Sequence, residues 1–146
     1  MDQAVMDFVQ GRRIAVVGVS RNSSKFGSAA YKELKQRGYQ VYAVNPNVPE
    51  IEGEPCYANL DELRGQVDGV LVVVPPHKAV QVLREAAGAG IRNVWLQQGS
   101  ESAEVLFTVE ELGLNAVSKK CILMYAQPVR GFHRLHRGFV QLFGKL

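Results

Sequence analysis

The sequence predicts an α/β protein of three layers, with a doubly wound parallel sheet of about five strands between layers of helices. Short apolar runs recur along the chain at roughly 25-residue intervals and alternate with amphipathic helical patterns. Such intervals leave no room for hairpins and favour right-handed parallel crossovers. The chain length of 146 residues fits one domain with a genuine core, so we expect a single domain over 1–146 whose core spans about 10–125.

The first apolar run and the loop after it suggest a ligand. Ile14 to Val17 are too few residues for a lone helix and suit a strand that is buried on both faces. A strand, a loop of small residues and a helix together present backbone N–H groups to a phosphate, and two cations in this loop would add positive charge. The alternative is a tight turn whose cations are only solvated. The predicted phosphate-binding residues are Gly18, Val19, Ser20, Arg21, Asn22, Ser23, Lys25, Phe26 and Gly27.

This loop departs from the fingerprint of dinucleotide-binding proteins. That fingerprint requires three closely spaced glycines, whereas here only Gly18 and a distant Gly27 are present. The second strand ends at Asn45-Pro46, with no Asp or Glu to hold a ribose 2′-hydroxyl. A NAD(P)-binding or other nucleotide-binding protein stays open as an alternative, but the two missing features favour a different phosphate ligand.

Periodicity, caps and breaker residues define the other elements. Asp2 and Asn59 suit N-caps, and glycines close the longer helices. The predicted helices lie at 2–10, 26–37, 59–63, 77–88 and from about 101 onward. The predicted strands after the first lie at 39–45, 69–74, 91–97 and 114–117.

The segment from Pro46 to Asn59 is predicted to be irregular, because it contains three prolines and a glycine. A connection of this length inside a compact domain is more often functional than decorative. Its alternating glutamates, Glu50, Glu52 and Glu54, are expected to be solvated.

Bulk composition narrows the class of ligand. The formal charge of +3 and the pI near 9.0 suit an anionic small ligand but argue too weakly for nucleic acid. The two cysteines form neither a C-x-x-C pattern nor a disulfide framework, and no run reaches about 18 apolar residues. The sequence therefore predicts a cytoplasmic protein with no transmembrane segment and no metal site.

Ligands of doubly wound sheets lie beyond the carboxyl ends of the strands. In this sequence the residues at those predicted ends are loop or breaker residues rather than apolar filler, and one shared binding edge would explain them together. The ends are Val19-Ser20-Arg21, Asn45-Pro46-Asn47, Pro75-Pro76, Gln97-Gln98-Gly99 and Lys119-Lys120-Cys121.

A set of motifs in this order carries a family resemblance over about residues 10–125. The motifs are 17–27, Val44-Asn45-Pro46, Gly53, Val67-Asp68, Val72-Val73-Val74-Pro75-Pro76, Val94-Trp95-Leu96-Gln97-Gln98-Gly99 and Lys120-Cys121. As a set they resemble the CoA-binding domain family, the stand-alone relatives of the N-terminal, Rossmann-like domain of the succinyl-CoA synthetase α subunit.

The resemblance implies noncovalent binding of coenzyme A or an acyl-CoA. It puts the pyrophosphate over the Ser20–Lys25 loop and the adenosine near Asn45 and Pro46 with the segment that follows. The pantetheine arm would then run past Val74, Pro75 and Pro76 and the turn formed by Gln97, Gln98 and Gly99. Coenzyme A carries a ribose 3′-phosphate, which a carboxylate would repel and which Arg21 or Lys25 could meet.

The resemblance does not extend to catalysis. In the synthetase the phosphorylated histidine belongs to a second domain, and His77, His133 and His136 stand in no matching context. We therefore predict no catalytic residues and expect a binding or regulatory module rather than an enzyme. The alternative is a subunit of an acyl-CoA ligase that a partner chain completes.

Three features remain outside this interpretation. The tail over 126–146 is predicted to be an amphipathic basic helix that docks on its own domain or on a subunit, with a membrane surface, a homodimer or a protein partner as alternatives. Cys121 follows two lysines and is either a reactive thiol or a small, partly buried residue, of which we favour the second. His77 is expected to cap the helix that it begins.

Overall fold

Strand β1 (Arg13–Val17) lies near the centre of a seven-stranded sheet in the computed structural model, which describes residues 2–22 and 24–128. The other strands are β2 (Gln40–Val44), β3 (Glu50–Ile51), β4 (Glu54–Tyr57), β5 (Gly69–Val72), β6 (Asn93–Leu96) and β7 (Asn115–Val117). The order across the sheet is β3-β4-β2-β1-β5-β6-β7, and every pairing is parallel except that of β3 with β4. The predicted doubly wound α/β fold is confirmed.

The prediction of irregular structure over residues 46–59 is wrong. The chain forms a hairpin there, with Glu50 opposite Pro55 and Ile51 opposite Glu54, and β4 then adds parallel to β2. Glu52 and Gly53 form its turn with φ values of 54° and 80°. Positive φ at both central residues is typical of the tight hairpin turns that match strand twist. Glutamate is an unusual first residue of such a turn, so the sequence pattern did not indicate a hairpin.

Helices cover both faces of the sheet. The helices are α1 (Gln3–Gln10), α2 (Phe26–Gln36), α3 (Pro76–Gly88) and α4 (Ala103–Leu112), with 3₁₀ turns at Leu60–Leu63 and Ile122–Met124. The core on the α1 and α2 face contains Ile14 and Val16 of β1. The core on the α3 and α4 face contains Ala15 and Val17. Since neighbouring residues of a strand point to opposite faces, a strand buried on both sides must be apolar along its buried length, as β1 is from Ile14 to Val17.

Capping explains where several helices begin. The Asp2 side chain accepts a hydrogen bond from the Ala4 amide at 3.0 Å, and Asn59 accepts one from the Glu62 amide at 3.2 Å, as predicted. Ser102 caps α4, so this helix starts at Ala103 rather than near residue 101. The expectation that His77 caps α3 is wrong, because Pro75 occupies the N-cap position and no side chain in the described part of the chain caps that helix.

The tail prediction falls mostly outside the described residues. Residues 126–128 have no regular secondary structure, and the remainder of the helix predicted over 126–146 is not among the residues that the structure describes. Within the described ranges, no helix has the length and apolar character needed to cross a membrane.

Asp68 joins the starts of β1 and β5. Its carboxylate accepts hydrogen bonds from the backbone amides of Arg12 and Arg13, at 3.1 and 3.0 Å, and from the Arg13 guanidinium at 2.8 Å. The hydrogen bond from the Arg13 side chain is the main reason why the pKa of Asp68 lies below its ordinary value of 3.8. The ionised carboxylate is thus the form that the folded chain stabilises.

We expect Asp68→Asn to lower the free energy of unfolding by about 1–2 kcal/mol at neutral pH, since the bonds of a charged acceptor are weakened. Because the pKa of Asp68 is lower in the folded chain, its contribution is present above pH 3.8 and is lost as the pH falls below that value. Urea unfolding followed by Trp95 fluorescence between pH 7 and pH 3 measures this. Asp61→Asn is the matched control, because Asp61 forms an exposed pair with Arg64 on one 3₁₀ turn. Equal losses in the two variants at pH 7 would contradict the role given to Asp68.

Candidate functional site

The loop after β1 passes unusually close to the end of β5. Gly18 has a φ of 116°, and a Cβ atom at this position would lie 2.2 Å from the carbonyl oxygen of Val73. The first turn of α2 packs onto the same loop, since a Cβ atom on Gly27 would lie 2.4 Å from the Gly18 carbonyl oxygen. Both glycines are therefore required by close backbone approach, which is a function that glycine serves in phosphate-binding loops.

Internal hydrogen bonds fix the shape of this loop. The buried Ser28 hydroxyl donates to the Ser20 carbonyl oxygen at 2.6 Å and accepts from the Ser20 amide at 3.3 Å. The Asn45 side chain donates to the Val19 carbonyl oxygen at 2.8 Å, and its own carbonyl oxygen accepts from the Asn47 amide. The ends of β1 and β2 are thereby held together, and the loop is preorganised.

The second half of the loop leads directly into α2. The Asn22 side chain accepts from the Ser24 amide at 3.0 Å, and the Asn22 carbonyl oxygen accepts from the Lys25 amide at 3.1 Å. Lys25 occupies the N-cap position of α2, and no side chain of the described residues caps this helix. Arg21, Lys25 and Phe26 are exposed. Exposed cations and uncapped helix N–H groups thus lie side by side, while Ser23 is outside the described residues.

The loops after β5 and β6 are joined by a residue that the sequence interpretation missed. Ser100 is buried, and its hydroxyl lies 2.6 Å from the Val74 carbonyl oxygen as a hydrogen-bond donor. Pro75 is exposed and Pro76 begins α3. The Val74–Pro76 segment therefore lies beside the turn after β6, as the predicted binding edge requires.

The three residues of that turn differ in exposure. Gln97 is buried, and its side chain accepts a hydrogen bond from the Ile122 amide at 3.0 Å. Gln98 and Gly99 are exposed. The Glu101 carboxylate, also missed, accepts from the amides of Gly99 at 3.2 Å and Lys119 at 3.5 Å. Glu101 thus connects the loops after β6 and β7.

A cleft of about 190 Å³ opens beside the loop, between α2 and the β3–β4 hairpin. It is lined by Val19, Ser20, Arg21, Ser28, Tyr31, Glu50, Ile51 and Glu52. Two ion pairs join the hairpin to α2: Lys32 with Glu52 at 2.9 Å, and Lys35 with Glu54 at 2.6 Å. The expectation that these glutamates are merely solvated is wrong for Glu52 and Glu54, because the unpredicted hairpin brings them beside α2.

A wider, shallow groove of about 630 Å³ lies at the opposite edge of the sheet, among residues that include Asp7, Arg13 and Asp68. It lies at the amino ends of the strands, where ligands of such sheets do not bind. The Arg13 and Asp68 side chains in this groove also form an ion pair with each other. We therefore assign the candidate site to the carboxyl edge, despite the larger volume of this groove.

The two cysteines are half-buried and unbridged. Burial is the main reason why the pKa of the Cys56 thiol is raised, and its sulfur lies 3.7 Å from the Asn45 carbonyl oxygen. Cys121 directly precedes the second 3₁₀ turn. Within residues 2–22 and 24–128, no group of three or more His, Cys, Asp or Glu side chains could hold a metal ion.

Comparison with known proteins identifies the family to which this chain belongs. A family model described as a CoA binding domain matches residues 12–127. The chain is 29% identical over 126 residues to the α subunit of acetate–CoA ligase [ADP-forming] II from Pyrococcus furiosus, which covers 79% of this chain. It is 30% identical over 141 residues to acetate–CoA ligase [ADP-forming] II from Archaeoglobus fulgidus, which covers 94% of this chain. The chain spans only 28% and 21% of the lengths of these two relatives.

A solved structure of similar size shares the fold. It is a conserved hypothetical protein from Pyrococcus furiosus, with 42% sequence identity and a TM-score of 0.74. The match covers 77% of this chain and 97% of that protein. The name of that protein states no activity.

We expect Gly18→Ala to destabilise the fold by about 3 kcal/mol or more, because the added methyl meets the Val73 carbonyl and the backbone is strained as well. Gly99→Ala is the control, since Gly99 also has a positive φ of 97° but a Cβ atom there meets nothing within 4 Å. The free energy of unfolding of this control should fall by about 1–2 kcal/mol, from backbone strain alone. Denaturant unfolding of both variants separates the two effects, and a loss for Gly18→Ala no larger than the control's would refute the close approach.

Proposed function

The chain belongs to the CoA-binding domain family, and from this premise we propose that it binds coenzyme A or an acyl-CoA noncovalently at the carboxyl edge of its sheet. In this proposal the diphosphate lies over the loop formed by residues 18–27. The observation that carries the proposal is the close packing at Gly18 and Gly27, where the loop leads into a helix N-terminus that no side chain of the described residues caps.

The loop offers what a diphosphate needs. Hydrogen bonds through Ser28 and Asn45 hold its backbone, so little ordering entropy would be lost when an anion binds. The exposed Arg21 and Lys25 would supply charge-assisted contacts beside the helix N-terminus. Phe26 and the exposed backbone next to it complete the surface on which we propose that the diphosphate lies.

The two ends of the ligand would extend in opposite directions from the loop. We propose that the adenosine lies toward Asn45 and Pro46, where an amide replaces the carboxylate that would repel a 3′-phosphate. The pantetheine arm would pass Val74, Pro75 and Pro76 and continue past the turn at Gln97, Gln98 and Gly99. In this arrangement the buried Gln97 side chain supports the turn, and the exposed Gln98 and Gly99 offer the contact surface.

The polar side chains at this edge support a binding module rather than a catalyst. Ser28, Asn45, Ser100 and Glu101 all hold neighbouring backbone groups and are thus engaged in shaping the loops. These hydrogen bonds fix the shape of the loops. We therefore propose that the protein has a binding or regulatory role.

A second candidate is a subunit of an ADP-forming acyl-CoA ligase. It is favoured by the curated relatives, whose names state that activity and of which this chain matches a fraction. Ligase activity would then require groups from a partner chain. Formation of ADP from ATP, acetate and CoA, absent with this chain alone and present after addition of a copurifying chain, would establish this candidate.

Native mass spectrometry of freshly purified protein tests the proposal directly. We expect a bound species with the mass of CoA or an acyl-CoA, or a complex of that mass after CoA is added. A species with the mass of NAD, formed in preference to CoA, would instead support a dinucleotide-binding protein.

We expect the double variant Arg21→Glu with Lys25→Glu to bind CoA at least about 100-fold more weakly, because two attractive charges become repulsive. Calorimetric titration measures this. Arg84→Glu with Arg92→Glu changes the net charge by the same amount on α3 and before β6, away from the loop, and should bind CoA nearly as well as the parent. Unchanged affinity in the first variant would remove both residues from the site.

A further inference from the structure

The outer face of α4 exposes a large apolar side chain. Phe107 is 66% exposed, more than any other large apolar side chain among the described residues. It lies at the centre of the exposed face of the helix, because the exposed residues around it stand three or four positions away. These are Ala103, Glu104, Glu110 and Glu111. A single exposed apolar residue is ordinary on a protein surface, so the charges around Phe107 decide whether this face has a partner.

Two of the surrounding glutamates lie at the unfavourable end of α4 for a negative charge. The helix ends at Leu112, so Glu110 and Glu111 lie in its last turn, and that turn contains no basic residue. Negative charges in the last turn interact unfavourably with the helix dipole. Arg84 compensates Glu111 at 3.4 Å, whereas Glu110 forms no ion pair with any described residue. A cation bound against this face would therefore stabilise α4.

The face thus favours a partner that combines apolar and basic side chains, and this chain contains such a segment. Residues 129–146, the C-terminal segment, contain three arginines, one lysine and no acidic residue, and they include Phe132, Phe139 and Phe143. The family match ends at residue 127, so this segment is not part of the domain that the family model describes. Its charge and its aromatic residues complement the α4 face.

The described chain ends far from its own α4. Ala126 packs in the core on the α1 and α2 face, and the Arg37 guanidinium, just after α2, donates to its carbonyl oxygen at 2.8 Å. α4 covers the opposite face and links β6 to β7. β6 is three strands from β2, or about 14 Å, and the path from one helix layer to the outside of the other adds about 20 Å. Eight extended residues span at most about 29 Å, so Arg134, the middle one of the three arginines, does not reach its own α4.

We propose that the C-terminal segment of one chain docks on the α4 face of a second copy, with its arginines against Glu104 and Glu110 and an aromatic side chain against Phe107. Because each copy has one segment and one α4 face, the reciprocal contact closes a twofold-symmetric dimer. The inference goes beyond the proposed function and does not depend on it, since α4 contributes no residue to the loop formed by residues 18–27.

Sedimentation velocity of the full chain over a range of concentrations tests the inference. We expect the parent to show a monomer–dimer equilibrium. Phe107→Ala should raise the dimer dissociation constant at least about tenfold, because aromatic anchors carry much of the binding energy of an interface. Met124→Ala is the matched control, since Met124 is also a large apolar residue, 52% exposed, on the second 3₁₀ turn. This control should dimerise as the parent does.

Charge exchange provides the sharper comparison. Glu104→Lys with Glu110→Lys, and separately Arg134→Glu with Arg137→Glu, should each weaken the dimer, because like charges then face each other. The four changes together restore opposite charges, so the dissociation constant should return toward the parent value. Circular dichroism of each variant shows whether a lost dimer reflects a lost fold.

Three outcomes would overturn the inference. A parent that is monomeric at every concentration would show that the segment docks on its own chain or elsewhere. Dimerisation of Phe107→Ala at the parent's dissociation constant would show that copies associate through another surface. A combined variant no tighter than the two separate charge variants would show that the arginines and the glutamates do not meet.

Discussion

The contact between Gly18 and the end of β5 is the constraint on which the carboxyl edge depends. β1 lies between β2 and β5, and the helices that follow β1 and β5 cover opposite faces of the sheet. The loops after these two strands therefore diverge, and a crevice forms at this point in doubly wound sheets. Only a residue without Cβ lets the backbone after β1 turn within contact distance of Val73, so the floor of this crevice depends on Gly18.

Most polar groups at this edge stabilise loops. Ser28 fixes the turn at Ser20, Asn45 joins the ends of β1 and β2, and Ser100 joins the ends of β5 and β6. Under the proposed function, a ligand would therefore meet backbone N–H groups and the exposed cations of the loop after β1. Such a surface suits recognition of a large phosphorylated cofactor, for which preorganisation contributes affinity.

The β3–β4 hairpin gives this edge a second wall. Ion pairs from Lys32 and Lys35 hold the hairpin against α2. The same helix carries Tyr31 and an N-terminus that no described side chain caps. The loop, the helix and the hairpin thus share one cleft. Exposed ion pairs are individually weak, and the hairpin is also attached through the parallel pairing of β4 with β2 and through the buried Ile51 side chain.

The sequence by itself determined the alternation of strands and helices and the caps at Asp2 and Asn59. Apolar runs and side-chain caps can both be recognised from residues that are neighbours in the sequence. It also indicated the family that the match over residues 12–127 establishes. The tertiary structure alone decided three features: the β3–β4 hairpin, the role of Gln97 in supporting the turn after β6, and the position of Tyr31. Each depends on residues distant in the chain: Glu52 and Glu54 acquire lysine partners on α2, Gln97 meets Ile122, and Tyr31 borders a cleft that exists only after the hairpin has docked.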